Sequence, residues 1–285
     1  MGKIIKKLMK IACVFFMVVG LGLFIGVMAA NDWDFKKLST DKFTTNTYGA
    51  VEEFDNISIN TKSTNIRFES AEDGETKVVC KEREKVKHTV KVENGTLVIE
   101  EDDTRKWYDH IGLFFDSPEM TVYLPKSEFG ALSVGNKTGD IEIAGGFTFG
   151  EINIGCSTGN VEMTSVNCEG KIQIGVTTGN ATLTNVTCKS LISNGSTGGI
   201  SLINVTASEE LSVERSTGNV TFQRCDASKI TVVTSTGNVT GTLLSDKIFI
   251  TDSSTGKIDV PKTVSGGECN IKTSTGNIEI KIQAA

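Results

Sequence analysis

The chain has 285 residues, is 38% hydrophobic and 22% charged, and holds 29 glycines against three prolines. That is the composition of a folded body, not of a disordered tail. Many Gly, Thr, Val and Ile without periodic runs of helix formers exclude a helical bundle and predict strands joined by tight turns, while a formal net charge of −6 disfavours nucleic acid and anionic lipid as partners.

The amino terminus is the exception to the β composition. Lys3, Lys6, Lys7 and Lys10 precede an uncharged stretch from Ile11 to Ala30, and about twenty apolar residues cross a bilayer as a helix. The lysines stay on the cytoplasmic side, which predicts a single-pass protein of the cell membrane whose carboxy-terminal part is extracellular. The competing expectation is a cleaved secretory signal, because small residues precede Ala30, although such apolar cores are shorter. Either way the body is exported. All 35 acids but only 25 of the 29 bases lie beyond residue 30, so the exported part carries ten net negative charges. Residues 1–30 are therefore expected as basic tip and anchor, and residues 31–50 as a polar stalk that sets Trp33 and Phe35 at the membrane interface.

Residues 51–130 are an irregular β region. "FDNISINTKSTNIRF" has the form of a rung, with Asn65 at the turn. In "TVKVENGTLVIE", Asn94 and Gly95 between alternating residues predict a hairpin, and "MTVYLP" continues as a strand. Between them "EDDTRKWYDHIGLFFDSPE" concentrates Trp107, Tyr108, His110, Phe114 and Phe115. This segment is either a cap whose aromatics pack on the body or a platform that binds a surface ligand or carbohydrate.

Residues 131–285 repeat. Gly139, Gly159, Gly179, Gly198, Gly218, Gly237, Gly256 and Gly276 follow one another at intervals of 19 or 20, each preceded by threonine. Seven residues before the glycine stand Leu132, Ile152, Ile172, Leu191, Leu211, Ile230, Phe249 and Cys269, and two after it Ile141, Val161, Ala181, Ile200, Val220, Val239, Ile258 and Ile278. A third column at plus seven includes Val166, Val186, Val205 and Cys225. Each unit buries these positions only by stacking on its neighbours. The prediction is an all-β, single-domain parallel β-solenoid of about 20-residue rungs, stacked at about 4.8 Å in chain order, preceded by one transmembrane helix. The glycines are expected as structural turns at positive φ, the threonines as turn hydroxyls, and Asp140, Asn160, Asn180, Asn219, Asn238 and Asn277 as side chains that bond along the stack. An ice-binding use of the threonine rank is disfavoured by the mostly serine second column headed by Lys137. The "NVT" strings at Asn185, Asn204 and Asn238 are read as turn chemistry.

Cys80, Cys156, Cys168, Cys188, Cys225 and Cys269 show no Cys-x-x-Cys spacing, and only His88 and His110 accompany them, so neither a metal site nor a cofactor is expected. They are read as buried thiols, with a Cys168–Cys188 crosslink between adjacent rungs as the alternative. After Gly276 the chain offers no capping element, so the edge of this rung is expected to support weak end-on self-association, blunted by Lys272, Glu279 and Lys281.

The single anchor, the irregular front with "MTVYLP" and the recurring "STGN" or "TTGN" rungs resemble the bacterial "putative adhesin" domain family of unknown function, which includes LiaG-like cell-envelope proteins. The resemblance covers roughly residues 50–282; Asn65 and Lys257 depart from its usual turn. It implies a surface solenoid acting as an adhesin or cell-envelope interaction scaffold that meets a cell-wall ligand, a surface ligand or an envelope membrane protein, and it supplies no catalytic motif. An envelope-stress sensing or regulatory partner is the alternative, with a polysaccharide-acting β-helix enzyme third. The lateral faces discriminate: converging acids and bases favour an enzyme, a Ser, Thr and Asn face favours binding.

Overall fold

Residues 2–39, 42–49, 52–110, 116–125 and 128–283 are described in a computed structural model. They form two compact units, Met1–Lys42 with Arg105–Asp116, and Phe43–Thr104 with Ser117–Ala285.

The first unit is built on the helix Gly2–Ala30. Its segment Ile5–Ala30 is 26 residues long and apolar enough to cross a membrane, a test that an N-terminal signal sequence also passes. The helix stops in a Schellman motif. Asp32 turns left-handed at φ 54°, its N–H reaches Ala29 O (3.3 Å), and the Trp33 N–H reaches Met28 O (2.9 Å), which satisfies carbonyls that the last turn leaves open. The short 3-10 turns Phe35–Leu38 and Trp107–His110 complete the described part of the unit.

The second unit is the solenoid. Strand Glu128–Thr138 pairs in parallel with Thr148–Thr158, which pairs with Lys171–Thr178, and the same register runs on through Ser190–Thr197, Glu210–Thr217 and Lys229–Thr236. The column Leu132, Ile152, Ile172, Leu191, Leu211 and Ile230 is thereby stacked level on level, and every member is at most 1% exposed. Ile154 and Ile174 are register partners, Val213 follows them beyond Ser193, and all are buried. A second face stacks Ile141, Val161, Ala181, Ile200, Val220 and Val239, and a third stacks Val166, Val186 and Val205. Each such side chain contributes about 2 kcal/mol by leaving water. The corner between second and third faces is left-handed at Ser165, Asn185, Asn204 and Arg224 (φ 52–56°), and Asn204 Nδ2 donates to Asn185 Oδ1 at 2.9 Å. Two of the "NVT" strings thus serve this bend.

The turn ladder adds a bond of its own between levels. The backbone N–H of Asp140 donates to Asn65 Oδ1 (3.0 Å), Asn160 to Asp140 Oδ1 (2.7 Å), Asn180 to Asn160 Oδ1 (3.0 Å) and Gly199 to Asn180 Oδ1 (2.9 Å). It resumes from Asn219 to Asn238, Asn277 and Lys257 (2.8–2.9 Å). On the third face, stacked Phe54, Phe129 and Phe149 (centroids 6.0 and 5.8 Å apart) give way to Cys168, Cys188, Ala207 and Ala227. The thiols there are free and buried and fill a tapering corner.

Three expectations are corrected. Levels do not follow chain order at either end. Gly267–Thr275 docks on Lys229–Thr236, and Lys247–Thr255 docks outside it, so the Gly276 rung is internal and the Gly256 rung is the edge. At the other end Asn56–Ser63 and Asn65–Ser70 lie between the regular rungs and an outer level made of Thr96–Asp103 and Glu119–Leu124. Interior chemistry sorts these positions: Cys269 and Ile271 need cover on both sides, whereas Thr251 and Ser253 tolerate an open end. Finally, residues expected as a stalk include strand Phe43–Gly49, which pairs antiparallel with Lys77–Arg83 and half-buries Phe43, Asn46 and Tyr48. The hairpin stands as read, with Asn94 and Gly95 at φ 50° and 71°.

Candidate functional site

The strand before each glycine turns alternate residues outward, and one outward rank is itself glycine: Gly135, Gly155 and Gly175 lie beside Lys137, Ser157 and Thr177. The result is a groove of about 680 Å³ that runs from Asn60 to Glu214 across six levels, roughly 24 Å at the spacing of paired strands. The fold does not demand these glycines. An added Cβ would have no atom within 4 Å at Gly155 and none nearer than 3.9 Å at Gly175, and neither is at positive φ. Ser, Thr, Asn and Gly make up most of the lining residues, with Cys156 and Val176 among them. Its charged side chains are Lys137 and Glu214, four levels or roughly 19 Å apart, too far to act on one reacting atom. The threonines that precede the eight turn glycines are exposed along the same edge.

Charged chemistry gathers elsewhere. Cys80, Glu82 and His88 lie in the antiparallel part, on strands Lys77–Arg83 and Val86–Glu93, with their ligand atoms within 4.8 Å of one another. Glu82 is fully buried and saturated. Asn46 Nδ2 donates to Oε1 (2.5 Å), as does Tyr48 Oη (3.1 Å), while the N–H and Nδ1 of His88 donate to Oε2 (both 2.8 Å). Burial alone would raise the pKa of this carboxyl, but those hydrogen bonds outweigh it and hold Glu82 below the usual glutamate range. Burial and the Glu82 charge push the Cys80 thiol and the Tyr48 phenol each up to about 12. His88 Nε2 lies 3.4 Å from Thr64 Oγ1. A cation at this cluster would have to displace bonds already made, and its three members are at most 3% exposed. It is a structural network that joins antiparallel strands to the solenoid turn at Thr64. Residue spacing missed it because Asn46 and Tyr48 reach Glu82 only through the pairing of Phe43–Gly49 with Lys77–Arg83, while His88 stands six residues beyond Glu82 on the next strand; the lone signal was a histidine in a strand-like run.

The aromatic segment divides. Trp107 and Tyr108 begin the 3-10 turn that His110 closes, and their rings meet edge to face at 5.9 Å. Trp107 is 76% exposed and Tyr108 48%. Phe114 and Phe115 lie outside the described residues. The groove is lined by the solenoid unit and the aromatic turn belongs to the other unit. Seven of the eight repeat glycines turn at φ 121–157°; Gly237 departs from the expected positive φ.

Residues 54–283 match the family described as Toastrack DUF4097. The chain belongs to that family. No curated protein matches it significantly. Among solved structures, this Toastrack chain is similar to a putative adhesin from Bacteroides fragilis NCTC 9343, with 20% identity and a TM-score of 0.55 over 84% of this chain and 97% of that one. It is also similar to a putative adhesin from Parabacteroides distasonis ATCC 8503, with 14% identity and a TM-score of 0.49 over 85% and 98%. The first likeness shows a shared fold.

Proposed function

We propose that this protein is a non-enzymatic, membrane-anchored extracellular β-solenoid that acts as an adhesin or cell-envelope interaction scaffold, with an extended polar ligand lying along the groove. The observation that carries this reading is the groove itself: an uncluttered glycine floor edged by Ser, Thr and Asn, with its one lysine and one glutamate at separate levels. Such a surface recognises by many weak hydrogen bonds and lacks the converging acid and base that hydrolysis of a glycan requires. The description of the B. fragilis neighbour as an adhesin supports the same reading, as does an amino-terminal helix long enough to span a bilayer.

The test is retention of cell-wall fractions and solubilised envelope proteins by the protein and by a Gly155→Leu, Gly175→Leu variant. Both positions accept a side chain without backbone strain, so the variant stays folded and fills the groove. Loss of retention in the variant supports the groove; equal retention removes it as the site. Capture of a membrane protein instead of wall polymer would favour the regulatory alternative. We further propose weak end-on self-association through Lys247–Asp259. Among the described residues Lys247–Thr255 has a strand partner on one side only, and Ile248, Ile250 and Ile258 are 41–48% exposed. A single sedimentation coefficient up to high concentration would sink that part.

A further inference from the structure

The aromatic turn at Trp107 belongs to the same compact unit as the membrane helix, not to the solenoid. This unit gathers exposed aromatic side chains of the kind that favour bilayer interfaces. Trp33 is 58% exposed, Phe35 50%, Trp107 76% and Tyr108 48%. Among the described residues of the solenoid unit, the exposed large apolar side chains are valines and isoleucines only, with no exposed tryptophan or tyrosine. Phe35 packs on Phe24 of the helix with ring centroids 6.5 Å apart, so the segment after the helix folds back against its last turns. Met28 in that same stretch is fully buried while the rest of the described helix is exposed. The Lys106 ammonium stands 6.0 Å from the centre of the Tyr108 ring, where a long cation can keep its head in water while the ring goes deeper.

Resting on the anchor reading above, we propose that Trp107 and Tyr108 insert into the headgroup region of the bilayer that holds the helix, as a second, discontinuous contact alongside Trp33 and Phe35. Indole and phenol rings prefer that depth because each has an apolar body and a polar tip. The partner is the lipid surface itself. Charge does not drive the insertion, since Asp102, Asp103, Asp109 and Asp116 flank or interrupt the turn. The contact therefore forms on zwitterionic lipid and is insensitive to salt.

The chain holds two tryptophans, which allows each site to be read alone in the full-length protein. Trp33→Phe leaves Trp107 as sole reporter, and Trp107→Phe leaves Trp33. Each variant is reconstituted in phosphatidylcholine vesicles carrying brominated acyl chains at shallow or deep positions, with β structure checked by circular dichroism. The expected result is blue-shifted Trp107 emission, quenched more by shallow than by deep bromines and unchanged by salt. Quenched Trp33 with red, unquenched Trp107 overturns the proposal and leaves the anchor standing. Absence of quenching at both overturns the proposal together with the anchor.

Discussion

At Gly179 an added Cβ would stand 1.9 Å from Gly159 O, and the residue sits at φ 139°, so glycine is required twice over, by conformation and by the closeness of the next level. Gly179→Ala should lower stability by about 3 kcal/mol, whereas Gly155→Ala, in open space at ordinary φ, should be neutral or gain about 0.5 kcal/mol. Urea unfolding of the pair checks this contrast. A second residue-scale case is Arg215, 2% exposed, whose Nη2 donates to Ser193 Oγ (2.8 Å) and Nη1 to Glu214 O (2.9 Å). Burial pushes its guanidinium down to about 10, so it is still charged at neutral pH. Ser193 breaks an otherwise apolar column for this reason, since it supplies the acceptor, while an added Cβ at Gly195 would meet Val176 O at 2.6 Å as well as Arg215 Nη1 at 2.9 Å. Ser193→Val should cost about 3 kcal/mol with Arg215 present and close to nothing in an Arg215→Met background. A double-mutant cycle that finds no coupling would show the two residues to be independent.

At the scale of elements, the antiparallel part is held by Glu82 as an anion. Its folded-state constant lies below the ordinary glutamate value of about 4.3, so its stabilisation is complete above that pH and is lost as pH falls through the lower folded value. Tyr48 acts oppositely. Its constant is raised to about 12, so stability is lost as pH rises from the ordinary phenol value of about 10 through 12. Glu82→Gln turns an amide NH2 toward two of the four existing donors and should cost about 2 kcal/mol at pH 7. Its urea midpoint should also fall less between pH 6 and 3 than that of the parent. Equal acid slopes would assign acid sensitivity to other carboxylates. This network was not legible in the sequence, because Asn46 and Tyr48 reach Glu82 through the pairing of two segments that share no repeat, and His88 reaches it across the bend between two consecutive strands. The regular elements were legible for the opposite reason: a period of 19 or 20 writes the same contact at every level, and Asn94–Gly95 needs no partner to declare a turn. The groove was missed because Gly135, Gly155 and Gly175 recur with the same period as the turn glycines and were overlooked beside them.

For the solenoid as a whole, stability is close to a sum over neighbouring levels, so position in the stack, not position in the chain, sets what a substitution costs. Lys257 carried the signal for the true order. An asparagine after the turn accepts the N–H of the next level, and Lys257, which has no level beyond it among the described residues, donates its own N–H to Asn277 Oδ1 and needs to offer no acceptor onward. The crossing that skips a level is held by Lys247, 2% exposed, whose Nζ donates to Asp226 (2.6 Å) and to Ser245. Chain-order stacking would make Gly267–Ile282 the fraying end, whereas the observed order makes it internal and leaves Lys247–Asp259 at the edge. Ile271→Ala, at a fully buried site, should therefore cost about 3 kcal/mol like any central column member, while Thr251→Ala should stay within about 0.5 kcal/mol. Hydrogen exchange followed by mass spectrometry gives the same comparison without substitution: amides of 268–282 should exchange more slowly than those of 248–259, because opening the inner level requires the outer one to leave first. Protection that instead declines steadily toward the carboxy terminus would restore chain order and undo the assignment of the edge.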